Sequence, residues 1–293
     1  MKKLTTLLIF LLLATVNAQT KTTYTYAIKG KDTLQLDVYQ PENSVTTATL
    51  PTLLWMHGGG FGGGARDDER EQTLAEYAAN NGFVGISISY RLMRKGEPTG
   101  FGCNCPKEEK LSTFKAAAED YMDAALFVIN NAKKLNINTN KIIAGGSSAG
   151  AEGILNAVYM REYFIENLEK YKTVQFAGVF SLAGAIVNAN YITKENAIPT
   201  VLFHGTDDNL VPFGAASHHY CDVDKPGYLV LEGSSIIAEK LREMETSYYF
   251  YVKKGGKHEM AGVPLYDLDN VFNFFKQTVL DDKTIQIKKI NNK

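Results

Sequence analysis

The segment Gly146-Ser147-Ser148-Ala149-Gly150 constrains the fold of this chain more than any other feature. It follows a short apolar run at residues 141–143 and precedes a helical pattern, so it predicts a strand, a sharp turn and a helix. A serine at the apex of such a turn has a strained backbone, and its neighbours must be small because both flanking elements pass close by. Ser148 fits the centre of this G-x-S-x-G pattern, whereas Ser147 would leave an alanine in place of the closing glycine. Ser148 is therefore the candidate nucleophile, and no Lys-Ser/Thr pair follows as a phosphate-binding loop requires.

Strand-like and helical segments alternate along the 293 residues. Nearly continuous apolar runs are typical of strands covered on both faces, and they occur at residues 52–56, 83–90, 176–183 and 200–203. A long helix is predicted over residues 112–135, with Ser112 as its N-cap. The alternation predicts an α/β fold with a mostly parallel sheet and helices on both faces. No composition shift divides the chain, so residues 19–293 are predicted to form a single domain.

The first residues have the pattern of a signal peptide, predicted to be residues 1–18. Lys2 and Lys3 form a basic start, residues 7–13 are apolar, and Val16-Asn17-Ala18 resembles a cleavage site. The alternative is a membrane anchor, but the apolar stretch is short against the roughly 20 residues of a spanning helix. A secreted or periplasmic protein without a transmembrane segment in the mature chain is therefore expected. The net charge of −1 gives no support for nucleic-acid binding.

Three cysteines, Cys103, Cys105 and Cys221, leave at least one thiol without an intramolecular partner. A bond within Cys103-Asn104-Cys105 would close a strained ring, so a bridge from either Cys103 or Cys105 to Cys221 is favoured in an oxidising compartment. Metal binding with the nearby His218 and His219 is the alternative, but the spacing matches no common zinc site. No metal is expected.

A serine nucleophile needs a base, and His258 is the candidate among the five histidines. His258 follows the strand-like run at 247–252 and precedes the last helical pattern, so it is expected at the same sheet edge as Ser148. His57 and His204 precede the candidate acid, contrary to the Ser–acid–His order of this fold class. His218 and His219 follow that acid with no intervening strand to carry them across the sheet.

The acid is expected at the end of the strand at residues 200–203, where Asp207 and Asp208 are adjacent. The spacing H-G-x-x-D from His204 favours Asp208, and Asp207 is the alternative. A carboxylate at this position holds the histidine tautomer and stabilises the imidazolium.

The segment His57-Gly58-Gly59-Gly60-Phe61 directly follows a predicted strand. Its consecutive glycines let backbone N–H groups face a substrate without a Cβ in the way. Gly59 and Gly60, together with the N–H of Ala149, are therefore the candidate oxyanion-hole donors. His57 is expected to orient this loop rather than to act as a base.

Together, H-G-G-G-F, G-x-S-x-G, H-G-x-x-D and a late G-x-H-E resemble the motifs of the α/β-hydrolase superfamily, most closely its HGGG-type carboxylesterase and lipase group, which includes hormone-sensitive-lipase-like and bacterial esterases. The Tyr90-Arg91-Leu92 segment is also similar to that group. The resemblance covers residues 52–279. It implies an eight-stranded sheet, a Ser148–Asp208–His258 triad, an acyl-enzyme intermediate and no cofactor.

The sequence accordingly predicts a secreted serine carboxylic-ester hydrolase. Its expected substrates are small acyl esters or acylated side groups of a polysaccharide. One alternative is a serine peptidase of the same fold, although the chain has no room for the cap or propeller that such peptidases carry. Another is a non-catalytic binding protein on a hydrolase scaffold. The presence of all three triad residues argues against that alternative. The oligomeric state is not indicated by the sequence.

Overall fold

The computed structural model describes residues 21–41 and 48–292, and the predicted signal peptide lies outside them. Within these ranges a nine-stranded sheet has the order β1-β2-β4-β3-β5-β6-β8-β11-β12. The strands of this sheet are β1 (Lys21–Lys29), β2 (Asp32–Tyr39), β3 (Leu50–Met56), β4 (Val84–Ile88), β5 (Ile137–Ser147), β6 (Gly178–Leu182), β8 (Thr200–Gly205), β11 (Tyr248–Lys253) and β12 (Gln286–Asn291). Only the β1–β2 and β2–β4 pairs are antiparallel. A small antiparallel sheet has the order β7-β10-β9 and consists of β7 (Ala185–Ile186), β9 (Ala215–Ser217) and β10 (Val230–Gly233).

Helices cover both faces of the large sheet. They are α1 (Glu69–Asn80), α2 (Lys107–Asn130), α3 (Ala132–Leu135), α4 (Ala149–Tyr159), α5 (Arg161–Phe164), α6 (Ser234–Glu243) and α7 (Leu268–Phe275). Within the described residues, short 3₁₀ segments lie at Leu168–Tyr171, Ala189–Tyr191, His218–Tyr220 and His258–Ala261, and a π-helical turn spans Lys276–Leu280.

Side chains of β3 alternate between two cores, as the period of a strand requires. Leu54 and Met56 pack into the core that includes residues of α2, α4 and α6. Leu53 and Trp55 pack into the opposite core with residues of α1 and α7. Burial of β3 on both faces explains why its sequence is almost entirely apolar. The predicted α/β fold, with a mostly parallel sheet between two helical layers, is confirmed.

The expected count of eight strands was wrong, because β12 adds a ninth beside β11. This strand is largely exposed and contains Lys288 and Lys289, so it lacks the apolar pattern that reveals a strand. Lysines are suited to an edge strand, where they discourage pairing with another chain. A single domain over residues 19–293 stays a prediction.

The long helix also begins earlier than its sequence pattern suggested. The helix α2 starts at Lys107 after Pro106, rather than with Ser112 as N-cap. Proline fixes φ at a value that suits the start of a helix, and Glu108 and Glu109 favour the positive N-terminal end of its dipole. The helix ends at Asn130, and Asn136 adopts the left-handed conformation after the short α3.

Candidate active site

Ser148 lies between the end of β5 and the start of α4, with φ 50° and ψ −122°. This backbone conformation is unfavourable for a residue with a Cβ, and it persists because the surrounding chain fixes it. The Ser148 N–H donates to Leu182 O at 2.8 Å. A Cβ at position 146 would lie 2.5 Å from Gly150 O, and one at position 150 would lie 2.1 Å from Met56 O. The two glycines therefore let the turn pass close to its own helix and to the end of β3.

The structure brings Ser148, His258 and Asp208 into one hydrogen-bonded chain. Ser148 Oγ lies 2.8 Å from His258 Nε2, so the hydroxyl can donate its proton to the ring. On the other side of the ring, His258 Nδ1 donates to Asp208 Oδ2 at 2.8 Å. The parallel strands β5, β8 and β11 end at one edge of the sheet, and the three residues follow those ends. This geometry allows an imidazole to take a proton from serine while a carboxylate fixes its tautomer.

Asp208 is buried and held on several sides. Its Oδ1 accepts hydrogen bonds from the N–H groups of Leu210 and Val211 at 2.9 and 3.0 Å. Burial alone would raise the pKa of the Asp208 carboxyl, but the His204 and His258 side chains outweigh it and hold that pKa well below its ordinary value. Asp207, the alternative acid, is exposed at the surface and accepts a hydrogen bond from Thr206.

The glycine loop after β3 lies against the serine turn. A Cβ at position 58 would lie 3.3 Å from the Cβ of Ser148. Gly59 and Gly60 have positive φ values of 116° and 60°, and Gly59 O accepts from the N–H groups of two later glycines in the loop. Gly59, Gly60 and Ala149 all line the cavity that contains Ser148. As the first residue of α4, Ala149 has an N–H without an intrahelical acceptor, so it is available to a bound group.

The remaining histidines have different surroundings. The buried His57 bonds Gly58 O through Nδ1 at 2.7 Å, and burial lowers its pKa. The Tyr90 hydroxyl donates to His57 O at 3.0 Å, so this part of the loop is tied to the chain that follows β4. His204 is also buried, and it donates through Nε2 to Val211 O while accepting from Ser234 at Nδ1. His57 is therefore attached to the glycine loop, and His204 to the loop that carries Asp208.

Sequence reasoning missed that His218 and Glu152 both line the cavity beside Ser148. His218 Nε2 lies 3.4 Å from Glu152 Oε1, and both side chains are buried. Glu152 is four residues after Ser148, and residues at this spacing share a helix face. That spacing was the available signal for Glu152. The position of His218 depends on a distant loop and had no local signal.

A disulfide joins Cys103 to Cys221 with a Cα–Cα distance of 5.2 Å. It links the segment before α2 to the segment between β9 and β10, next to His218. Of the two partners that the sequence left open for Cys221, the structure has Cys103, and Cys105 is a buried free thiol. Among the described residues, no group of three His, Cys, Asp or Glu side chains is arranged to hold a metal ion.

The cavity over these residues has a volume of about 500 Å³, within the usual range for small-molecule sites. Its walls include the glycine loop and Ala149 on the side of the serine turn, and Phe101, Leu210 and His219 elsewhere. Over the parts of the chain that the structure describes, no helix is long and apolar enough to cross a membrane.

The sheet, its two helical layers and the Ser–His–Asp chain at the strand ends define an α/β hydrolase. The chain belongs to the BD-FAE family, whose model matches residues 36–187, just over half of the chain.

Solved structures of esterase 2 from Thermogutta terrifontis share this fold. The native form has a TM-score of 0.63 at 16% identity, covering 90% of this chain and 93% of that chain. A propionate-bound form has the same TM-score at 17% identity, covering 92% of this chain and 96% of that chain.

Curated relatives match over a shorter stretch. Secreted lipase 1 of Botryotinia fuckeliana is 28% identical over 165 residues, which are 55% of this chain and 27% of that protein. Venom carboxylesterase-6 of Apis mellifera is 31% identical over 136 residues, which are 46% of this chain and 22% of that protein. The matched region is thus about a quarter of the length of these relatives.

Proposed function

We propose that this protein is a serine carboxylic-ester hydrolase with Ser148, His258 and Asp208 as its catalytic triad. The hydrogen-bonded chain from Ser148 Oγ through His258 to Asp208, at a strained turn that opens into the cavity, is the observation that carries the proposal. The names of the relatives, lipases and carboxylesterases, support the same reaction.

In the proposed reaction, Ser148 Oγ attacks the acyl carbon while His258 accepts the hydroxyl proton. The carbonyl oxygen becomes an oxyanion that receives hydrogen bonds from the N–H groups of Gly59, Gly60 and Ala149. The bond between the acyl carbon and the alcohol oxygen then breaks, and the alcohol leaves with the proton from His258. Water, deprotonated by the same histidine, attacks the acyl-enzyme, releasing the carboxylic acid and restoring Ser148.

Asp208 remains ionised through these steps because its pKa is depressed. Its negative charge stabilises the imidazolium that forms when His258 takes the proton. The N–H groups of Leu210 and Val211 keep the carboxylate aimed at His258 Nδ1, so the ring presents Nε2 to serine.

We also propose that residues 1–18 direct export and that the protein is secreted or periplasmic. The basic and apolar pattern of these residues supports export, as does the Cys103–Cys221 disulfide, which suits an oxidising compartment. Several relatives are named secreted lipases. Small acyl esters, or acylated side groups of a polysaccharide, are the proposed substrates. Solved forms of the Thermogutta esterase with propionate and with butyrate support short acyl groups.

A fluorophosphonate probe tests the proposal directly, since it labels a serine only when the triad activates it. We expect stoichiometric labelling of Ser148, found by peptide mass spectrometry, and none in Ser148→Ala. Ser147→Ala is the matched control, because Ser147 neighbours the nucleophile and donates instead to Ala261 O. Parallel assays with p-nitrophenyl acetate and a peptide anilide then separate an esterase from a peptidase. Absence of labelling in the folded wild-type protein would refute the triad.

A further inference from the structure

Glu152 and His218 form a buried polar pair on the cavity wall that the proposed reaction does not use. Each side chain is about 1% exposed, yet both line the cavity with Ser148. Among the described residues, Glu152 Oε1 and His218 Nδ1 have no hydrogen-bond partner. Buried polar atoms are rarely left without a partner, because each one costs about 1–3 kcal/mol. Two neighbouring residues of one cavity wall that each carry such an atom indicate a place for a bound polar group.

The position of the pair is fixed relative to the nucleophile. Glu152 lies one helical turn after Ser148 on α4, and its N–H donates to Ser148 O at 2.9 Å. His218 is held by its own N–H, which donates to Leu229 O at 2.8 Å, and by the disulfide at Cys221. The ring of Phe101 packs edge-on against His218 with centroids 5.2 Å apart. The pair therefore forms a rigid polar part of the wall of the cavity that also contains Ser148.

The surroundings favour the uncharged form of both groups. Burial raises the pKa of Glu152 well above its ordinary value, with Lys110 opposing that shift and Asp208 adding to it. Burial lowers the pKa of His218 well below its ordinary value. The Lys110 ammonium donates to Gly227 O at 2.7 Å rather than to Glu152. An uncharged carboxyl and an uncharged imidazole each offer one donor and one acceptor.

We infer that Glu152 and His218 form a subsite that binds a hydroxyl group of the ester substrate. A hydroxyl both donates and accepts, so it can pair with either side chain, whereas a methyl group can pair with neither. The inference rests on the proposed esterase function and narrows its substrates to esters that carry a further hydroxyl, on the alcohol or on the acyl side.

Matched pairs of substrates, in which a hydroxyl replaces a methyl group, test this subsite. The alcohol-side pair is 2-hydroxyethyl acetate and propyl acetate. The acyl-side pair is p-nitrophenyl 3-hydroxybutyrate and p-nitrophenyl 3-methylbutyrate. In one of the two pairs we expect wild-type kcat/KM to favour the hydroxylated ester by about 10-fold or more, since a site built for a hydroxyl rejects an analogue without it. The pair that shows the preference identifies the side that carries the hydroxyl.

Three variants assign that preference to the two residues. Glu152→Leu removes both oxygens at similar volume, and His218→Phe keeps an aromatic ring but loses both nitrogens. Each should reduce the preference to near unity. Glu152→Gln keeps a donor and an acceptor and should retain most of it. Glu162→Leu is the matched control, because Glu162 is exposed on α5 and lines a different cavity.

The ratio within a pair is insensitive to the amount of folded enzyme, and a merely structural role would change both members equally. The inference is overturned if the wild-type ratio is near unity in both pairs, which needs no variant to fold. It is also overturned if Glu152→Leu and His218→Phe both keep the wild-type ratio. Failure of the esterase proposal looks different: no ester is hydrolysed, and Ser148 is not labelled by fluorophosphonate.

Discussion

Loss of the Cys103–Cys221 disulfide is expected to destabilise the protein strongly. The bridge closes a loop with a sequence separation of 118 residues. In the chain-entropy description, closing a loop of this length raises the free energy of the unfolded state by about 5 kcal/mol. This value is the upper limit for the free energy of unfolding that the protein loses with the disulfide. With a urea dependence of about 3 kcal/mol per molar, the midpoint of unfolding should fall by up to about 1.7 M. The double variant Cys103→Ala/Cys221→Ala makes this change without a reductant.

The assay is urea unfolding followed by tryptophan fluorescence. Trp55, the single tryptophan of the chain, is buried in β3, so its emission reports the opening of the central sheet. Cys105→Ala is the matched control, because it removes a buried sulfur without removing a crosslink. It should cost only about 1 kcal/mol.

The bridge also fixes a strained part of the cavity wall. His219 and Tyr220, directly before Cys221, have positive φ values of 58° and 52°. Each costs about 1 kcal/mol or more for a residue with a side chain. Without the crosslink these residues can relax, so KM for esters should rise in the double variant and stay near the wild-type value in Cys105→Ala. Equal urea midpoints for the double variant and the control would refute the reasoning. So would alkylation of three thiols per chain in unreduced wild-type protein.

Three further predictions concern the site. Asp208→Asn should lower kcat for p-nitrophenyl acetate by about 10⁴-fold, because an amide cannot fix the tautomer of His258 or stabilise its cation. A loss of less than tenfold would argue against the Asp208 carboxylate as the acid. Gly64→Ala should lower kcat/KM by about 100-fold or more, since its Cβ would lie 2.4 Å from Gly58 O and displace the glycine loop that is proposed to hold the oxyanion. Gly96→Ala, also at positive φ but with open space around it, should retain activity. Similar losses in both variants would contradict this account. The pKa of Glu152 is raised in the folded protein. Its protonated carboxyl therefore contributes fully to the free energy of unfolding below the ordinary carboxyl pKa of about 4.3. This contribution is lost as pH rises toward the raised pKa. Glu152→Gln should therefore stabilise the protein more at pH 8 than at pH 4 in thermal melts, and an effect independent of pH would show that the carboxyl is not buried in its neutral form.

Local sequence patterns were sufficient to predict structural features that depend on residues adjacent in the chain. The apolar runs of β3, β4, β6 and β8 are buried on both faces. Burial on both faces requires an apolar run, so the run predicts the buried strand. The glycines around Ser148 are required by contacts within the turn and with the end of β3. The pattern therefore predicted the turn.

Features that depend on tertiary packing could not be predicted in this way. The edge strand β12 is stabilised by pairing with β11, and its exposed side chains have no apolar alternation. His218 reaches the cavity because the disulfide and the small sheet hold its loop there, and neither is visible in the residues around it. Sequence order excluded His218 as the base, but order carries no information about which side chains form a cavity wall.

The close approach of Gly150 to the carbonyls of Met56 and His57 has a consequence for how such an enzyme diversifies. Backbone contacts backbone there, so the turn at Ser148 and the glycine loop after β3 cannot shift independently. If the protein is the esterase proposed above, variation that changes the preferred ester is expected at side chains on the other walls of the cavity, such as Phe101, Glu152 and His218. Under the proposed function, the backbone fixes the reactive groups, while the choice of ester depends on individual side chains of the other walls.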